Sequence, residues 1–165
     1  MPFGSAFAIN NLKITNEQLP TLFMVSGITS FIMMPLVGKY SDKRNKFVIF
    51  TLATLMAIVV LNIYSNFSAT PFIIVLVTYV VMMFFIISRV IPGSALTTAI
   101  PNPEDRGAYM SITSSLQQLA GGVGAMIAGM IIVQKDNYAP LENFNLLTMI
   151  MSVIMLFTIY LMYRV

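Results

Sequence analysis

Gly38-Lys39-Tyr40-Ser41-Asp42-Lys43-Arg44-Asn45-Lys46 sits between two long apolar runs and holds four of the chain's nine Lys and Arg together with one of its six acids. Charge gathered into a short hairpin between apolar stretches is the pattern that sets the orientation of a membrane protein. Composition agrees. The 165 residues are 58% hydrophobic and only 9% charged, with a mean hydropathy of +0.85. Soluble domains carry roughly 25% charged residues, so this chain has too few polar side chains to cover a soluble globule.

Working outward from the hairpin, a helix that crosses a bilayer needs about 20 mostly apolar residues. Five such stretches are predicted, at 16–37, 47–64, 71–96, 104–133 and 143–163. The third and fourth exceed the span length and should tilt or project beyond the hydrocarbon. Thr15 with Gln18 reads as a capping box, and Asn102-Pro103-Glu104-Asp105 as a cap, a first-turn proline and two acids placed well against the helix dipole. Breaks fall at 65–71 and 134–143.

Loops alternate sides. The hairpin, the 97–107 connection and the C-terminus therefore share one side, with Lys39, Lys43, Arg44, Lys46, Arg106 and Arg164, while the other has only Lys13 and Lys135. By the positive-inside rule the first side is cytoplasmic, which predicts a multi-pass protein of the cell's inner membrane. The segment MPFGSAFAI at 1–9 is apolar but too short to cross. It reads as the outer end of a sixth span whose first turns lie outside this chain, or alternatively as a true start with a short interfacial segment. No basic region followed by an adequate apolar one marks a signal peptide.

Chemistry is narrowed by what is absent. With no Cys and no His, there is no thiolate and no imidazole for a metal site, a nucleophile or a neutral-pH base. No carboxylate falls in the interior of a predicted span, Glu17, Glu104 and Asp105 standing at span starts, and every Lys lies in a loop. An enzyme is not expected, nor a cofactor, nor a metal. The cations lie in short loops rather than along one solvated face, which argues against nucleic acid.

Three features carry a functional expectation. Asp42 brings an acid into a basic loop, where it can pair with Lys43, Arg44 or a facing helix N-terminus and latch one packing of helices over another; a topogenic loop with an incidental acid is the plainer alternative. Arg89 falls inside the third span, where a cation costs about 2.5–3.5 kcal/mol at mid-membrane on insertion scales, unless it snorkels to the interface. In the fourth span Ser111, Ser114, Gln118, Gly121, Ala125 and Gly129 follow one another at three- or four-residue spacing, with Ala120, Gly124 and Ala128 alongside. Small residues so placed let helices approach closely. Gln117 and Gln118 need partners or water in a bilayer, so with Ser114 they are the candidates for a substrate path. Thr29, Ser30, Asn62, Thr78 and Tyr79 are weaker candidates, most of them expected to bond a neighbouring helix.

The order of these residues resembles the major facilitator superfamily. GKYSDKRNK resembles its signature loop, Gly-x-x-x-Asp-Arg/Lys-x-Gly-Arg/Lys, between the second and third helices of a six-helix half, through Gly38, Asp42, Lys43 and Lys46. Asn45 replaces the usual Gly, being the kind of residue that best tolerates a left-handed turn, and Phe47 replaces a further cation. Arg89 to Ala95 resembles the family's Arg-x-x-x-Gly-x-Gly/Ala pattern through Arg89 and Gly93, with Pro92 where a polar residue is more usual. PNPEDRGAYMS at 101–111 resembles the entry to the glycine-rich fifth helix through Arg106 and Gly107.

What the resemblance implies is an all-α membrane protein with five full transmembrane helices plus a partial N-terminal one, in a single bundle like one half of such a carrier. It implies a secondary transporter of the drug or sugar efflux-permease kind, working by alternating access, with the chain as a C-terminal half short of its first helix. Gly38 to Lys46 would be the latch, Arg89 would tie that latch to the third span, and Gly121, Gly124, Ala125 and Gly129 would face the other half. Implied partners are a small-molecule substrate, with or without a coupling proton, the lipid bilayer and the missing half. A small non-transporting membrane subunit or assembly factor is the competing expectation.

Overall fold

The structure, a computed structural model, describes residues 3–136 and 139–164. Six helices follow one another: α1 (Gly4–Asn10), α2 (Leu19–Asp42), α3 (Lys46–Ser65), α4 (Phe72–Thr97), α5 (Arg106–Ile131) and α6 (Phe144–Tyr163). One isolated antiparallel bridge, Val133 to Glu142, pinches the α5–α6 connection. In that connection Lys135 donates to Glu142 at 2.8 Å, and the hydrogen bond and nearby charge hold the ammonium above the ordinary lysine pKa. The start of the segment 1–9 and part of the break at 134–143 lie outside the described residues.

Four of the long helices, α2, α3, α4 and α6, are long and apolar enough to cross a membrane. The fifth, α5, is 26 residues long, about 39 Å at the helical rise, but glycines, serines and two glutamines thin its apolar content. Large apolar side chains on these helices face outward, among them Phe31, Ile73, Met130 and Val153. Such a belt suits lipid, since helices that satisfy their own backbone groups can expose apolar surface there.

Helix ends depart from the sequence-based expectation in ways that local chemistry explains. Gln18 and Thr15 do pair, but as a turn ahead of α2: Thr15 N–H donates to the Gln18 side-chain oxygen at 3.3 Å and Gln18 N–H to the Thr15 carbonyl at 3.0 Å. The helix therefore starts at Leu19. At its other end α2 runs on past Val37 to Asp42, so half of the expected hairpin is helix and only 43–45 connects α2 to α3. Asn45 does not adopt the left-handed turn expected of it. With φ −65° and ψ 111° it caps α3, its side-chain oxygen accepting from the N–H groups of Phe47 (3.0 Å) and Val48 (3.3 Å). Pro103, Glu104 and Asp105 form a turn before α5 rather than its first turn.

α4 lies between α2 and α3, and α3 packs on its far side against α6. The starts of α2, α4 and α6, the end of α3 and the residues after α5 all meet at one end of the bundle. There Phe7, Leu12, Leu22, Tyr64, Val75 and Phe144 form the main core. The Phe7 ring stacks on Phe144 at 3.9 Å between centroids and tilts against Tyr64 at 5.7 Å. Asn11 locks the same end: its amide donates to the Leu141 carbonyl at 3.1 Å and accepts from the Leu141 N–H at 2.8 Å.

Polar contacts join α3 to α6. Thr148 donates to Ser65 at 3.1 Å, Asn62 to Ser152 at 2.9 Å and Asn145 to Asn66 at 3.2 Å. Asn62 thus bonds a neighbouring helix as expected, whereas Thr29 and Ser30 bond back to carbonyls of their own helix.

Phe7→Ala should cost about 3–5 kcal/mol, as loss of a buried aromatic ring does, with unfolding followed in detergent. For the polar seam, a double-mutant cycle on Asn62→Leu and Ser152→Ala should give a coupling of about 0.6 kcal/mol and not above ~1.7.

Candidate functional site

The residues singled out from sequence fall into three places. At the end opposite the aromatic core lie the end of α2, the start of α3, the start of α5 and the end of α6, Phe47 meeting Tyr163 at 5.9 Å between centroids. Lys39, Lys43, Arg44, Lys46, Arg106 and Arg164 therefore gather at one end, while Lys13 and Lys135 lie at the other. Asp42 pairs with Lys46, carboxylate to ammonium 3.7 Å, across the turn and not with Lys43 or Arg44. The Asp42 side chain is 75% exposed, so the pair is weak and easily exchanged. Gly38 has open space where a Cβ would stand, so nothing among the described residues requires a glycine there. Next to Asp42, Ser41 is buried and its hydroxyl has no partner among the described residues.

The second place is on α4. Arg89 and Gly93 are one turn apart and both meet Phe50 of α3. The guanidinium lies over the Phe50 ring at 5.7 Å, and a Cβ added at Gly93 would come within 3.2 Å of the same ring. Arg89 also donates to Thr158 of α6 at 3.2 Å. This corrects the expectation that it ties down the hairpin: the side chain turns into the bundle toward α6. Among the described residues it has no carboxylate partner, since the ion pairs found there are Lys46–Asp42 and Lys135–Glu142. Phe50 and Thr158 were missed from sequence, because an aromatic and a threonine in apolar helices look like ordinary filler.

The third is α5. Ala128 is its buried residue among those described, and the helix barely touches α6. Ser114, Gln117, Gln118, Gly121, Gly124 and Gly129 are exposed and Ala125 is half-buried; a Cβ at Gly121 or Gly124 would meet nothing, and one at Gly129 would reach only Phe3, at 3.6 Å. Gly121 and Gly124 thus meet no packing partner among the described residues, while Ala128 is buried and Gly129 nears Phe3. Arg106 and Gly107, its first two residues, are likewise exposed.

Between α5 and the rest is a cavity of about 540 Å³. Gly121, Gly124 and Ala125 line one wall and Leu61, Arg89 and Thr158 are on the others. Ser114, Gln117 and Gln118 do not line it, so the structure does not bring the glutamines together with Arg89.

A bundle of long apolar helices joined by short polar turns, with a half-buried arginine and one long helix left largely unpacked, defines a multi-pass membrane protein. The family model of the Major Facilitator Superfamily matches residues 1–165. The chain belongs to that superfamily of transporters, and its helices fit one half of such a carrier. Comparison with curated proteins and with solved structures finds no match.

Because the Phe50 ring must give way for any added Cβ, Gly93→Ala should destabilise the bundle by about 1–3 kcal/mol. Combining it with Phe50→Leu should recover most of that loss, as read from thermal unfolding in detergent.

Proposed function

We propose that this bundle forms one wall of a secondary carrier that exports small molecules by alternating access. The observation that carries the reading is α5, a 26-residue helix of the transporter superfamily whose small and polar residues have almost nothing to pack against in their own chain. A second helical bundle, on whatever polypeptide carries it, would cover Gly121, Gly124, Ala125 and Gly129, where the lack of side chains lets backbones approach. Substrate would pass along the seam between the bundles, with Ser114, Gln117 and Gln118 facing it.

The exposed Asp42 would exchange Lys46 for a helix N-terminus of the facing bundle in one state and return in the other. Gly38, Lys43 and Arg44 shape and charge that latch, and Arg106 with Gly107 brings α5 to the same end. The gathering of six cations at that end supports its placement on the cytoplasmic side of an inner membrane. Arg89, held by Phe50 and Thr158, would supply the fixed intramembrane charge around which the bundle rocks. A proton is a natural coupling ion, although Asp42, at the very end of α2, is the one acid of the described residues that falls in an apolar helix. An assembly subunit could use the same α5 face, but would not need Asp42.

Two measurements test this. Since these 165 residues hold no cysteine, single substitutions can be read against the same carrier without them. In membranes containing the assembled carrier, Gln117→Cys and Gln118→Cys should react with a water-soluble maleimide, whereas Leu119→Cys should not. Equal silence at all three positions would place the glutamines in lipid and end the path assignment. Asp42→Asn should lower dye efflux from cells at least tenfold at unchanged membrane abundance; full efflux in that variant would remove the latch.

A further inference from the structure

α2 and α3 are joined by the 43–45 turn but hardly touch one another along their lengths, and a groove of about 780 Å³ lies between them with α4 as its floor. Leu36 of α2 and Leu52 and Met56 of α3 form the walls, and Phe84 belongs to the floor. The residues at its mouth are Tyr40 and Arg44, beside the 43–45 turn. The lining is thus apolar along its length and cationic at one end.

Charge is unbalanced at that mouth. Of the four hairpin cations only Lys46 has an acid, Asp42 at 3.7 Å; Lys39, Lys43 and Arg44 make no ion pair among the described residues. A guanidinium at the rim of a bilayer-facing apolar groove offers a planar, two-pronged donor to a phosphate at the depth where lipid headgroups lie. We propose that this groove is a binding site for an anionic phospholipid, with one acyl chain along Leu36, Leu52, Met56 and Phe84 and the headgroup phosphate on Arg44. Tyr40 flanks the phosphate as an interfacial aromatic. The carrier's own substrate would not enter here, because the groove lies on the α2–α3 side, away from α5.

Native mass spectrometry of the purified chain, released from mixed phosphatidylglycerol and phosphatidylcholine micelles, tests the site. The native chain should retain phosphatidylglycerol about fivefold over phosphatidylcholine, which is what roughly 1 kcal/mol per cation at an anionic surface amounts to. Arg44→Gln should bring the two lipids level, while Lys39→Gln should change the ratio less than twofold. Met56→Trp, which fills the groove, should remove one retained lipid, and glycerol 1-phosphate, a headgroup without tails, should displace none. Arg44 is exposed in a turn, so its substitution should leave helix content unchanged by circular dichroism. No preference in the native chain would overturn the proposal. So would equal losses in Arg44→Gln and Lys39→Gln, since a diffuse surface charge would then explain the binding.

Discussion

One contact orders this bundle: the Phe7 ring, stacked on Phe144 and tilted against Tyr64, at the point where every long helix starts or stops. In a bilayer no hydrophobic force pulls helices together, because lipid is as apolar as leucine. Association must come from close packing and from the few polar groups that lipid cannot satisfy. Here both are concentrated, aromatic packing and the Asn11–Leu141 pair at one end and the Ser65–Thr148 and Asn62–Ser152 bonds along the α3–α6 seam.

The consequence is asymmetry. One end is knotted; the other carries the charged hairpin. Away from Phe7 the α2–α3 groove opens, the hairpin ion pair stands exposed, and α5 leans out with its glycines uncovered. The proposed rocking would draw on contacts at the hairpin end, away from the main core, and the hairpin charges lie there. Arg89 lies between the two ends, its charge spread over the Phe50 ring and one threonine hydroxyl, without a carboxylate among the described residues. Such an arrangement keeps a cation inside an apolar bundle at moderate cost while leaving it able to meet another group.

The number, order and approximate length of the helices were legible because a run of about 20 apolar residues has one outcome in a bilayer. Asn45, Asp42 and Gly38 were found by their spacing, yet their conformations were not. Nothing in the residue order says that α2 continues through Gly38 to Asp42, or that Asn45 spends its side chain on capping α3. Phe50 and Thr158 were invisible for a related reason: each acquires its role only by lying beside Arg89, which is more than 35 residues away from either.

By itself, then, the sequence determined the medium, the helical class, the side on which the cations gather and the family, because hydropathy, loop charge and motif spacing are local quantities. Tertiary structure alone decided which helices touch and which residues acquire partners. The glycine stripe of α5 shows the difference. Spacing marks it as a surface for close approach, but whether the approaching helix belongs to its own bundle depends on how α3, α4 and α6 pack without it, and they close on one another through Ala57, Leu61, Met82 and Met155, leaving that surface open.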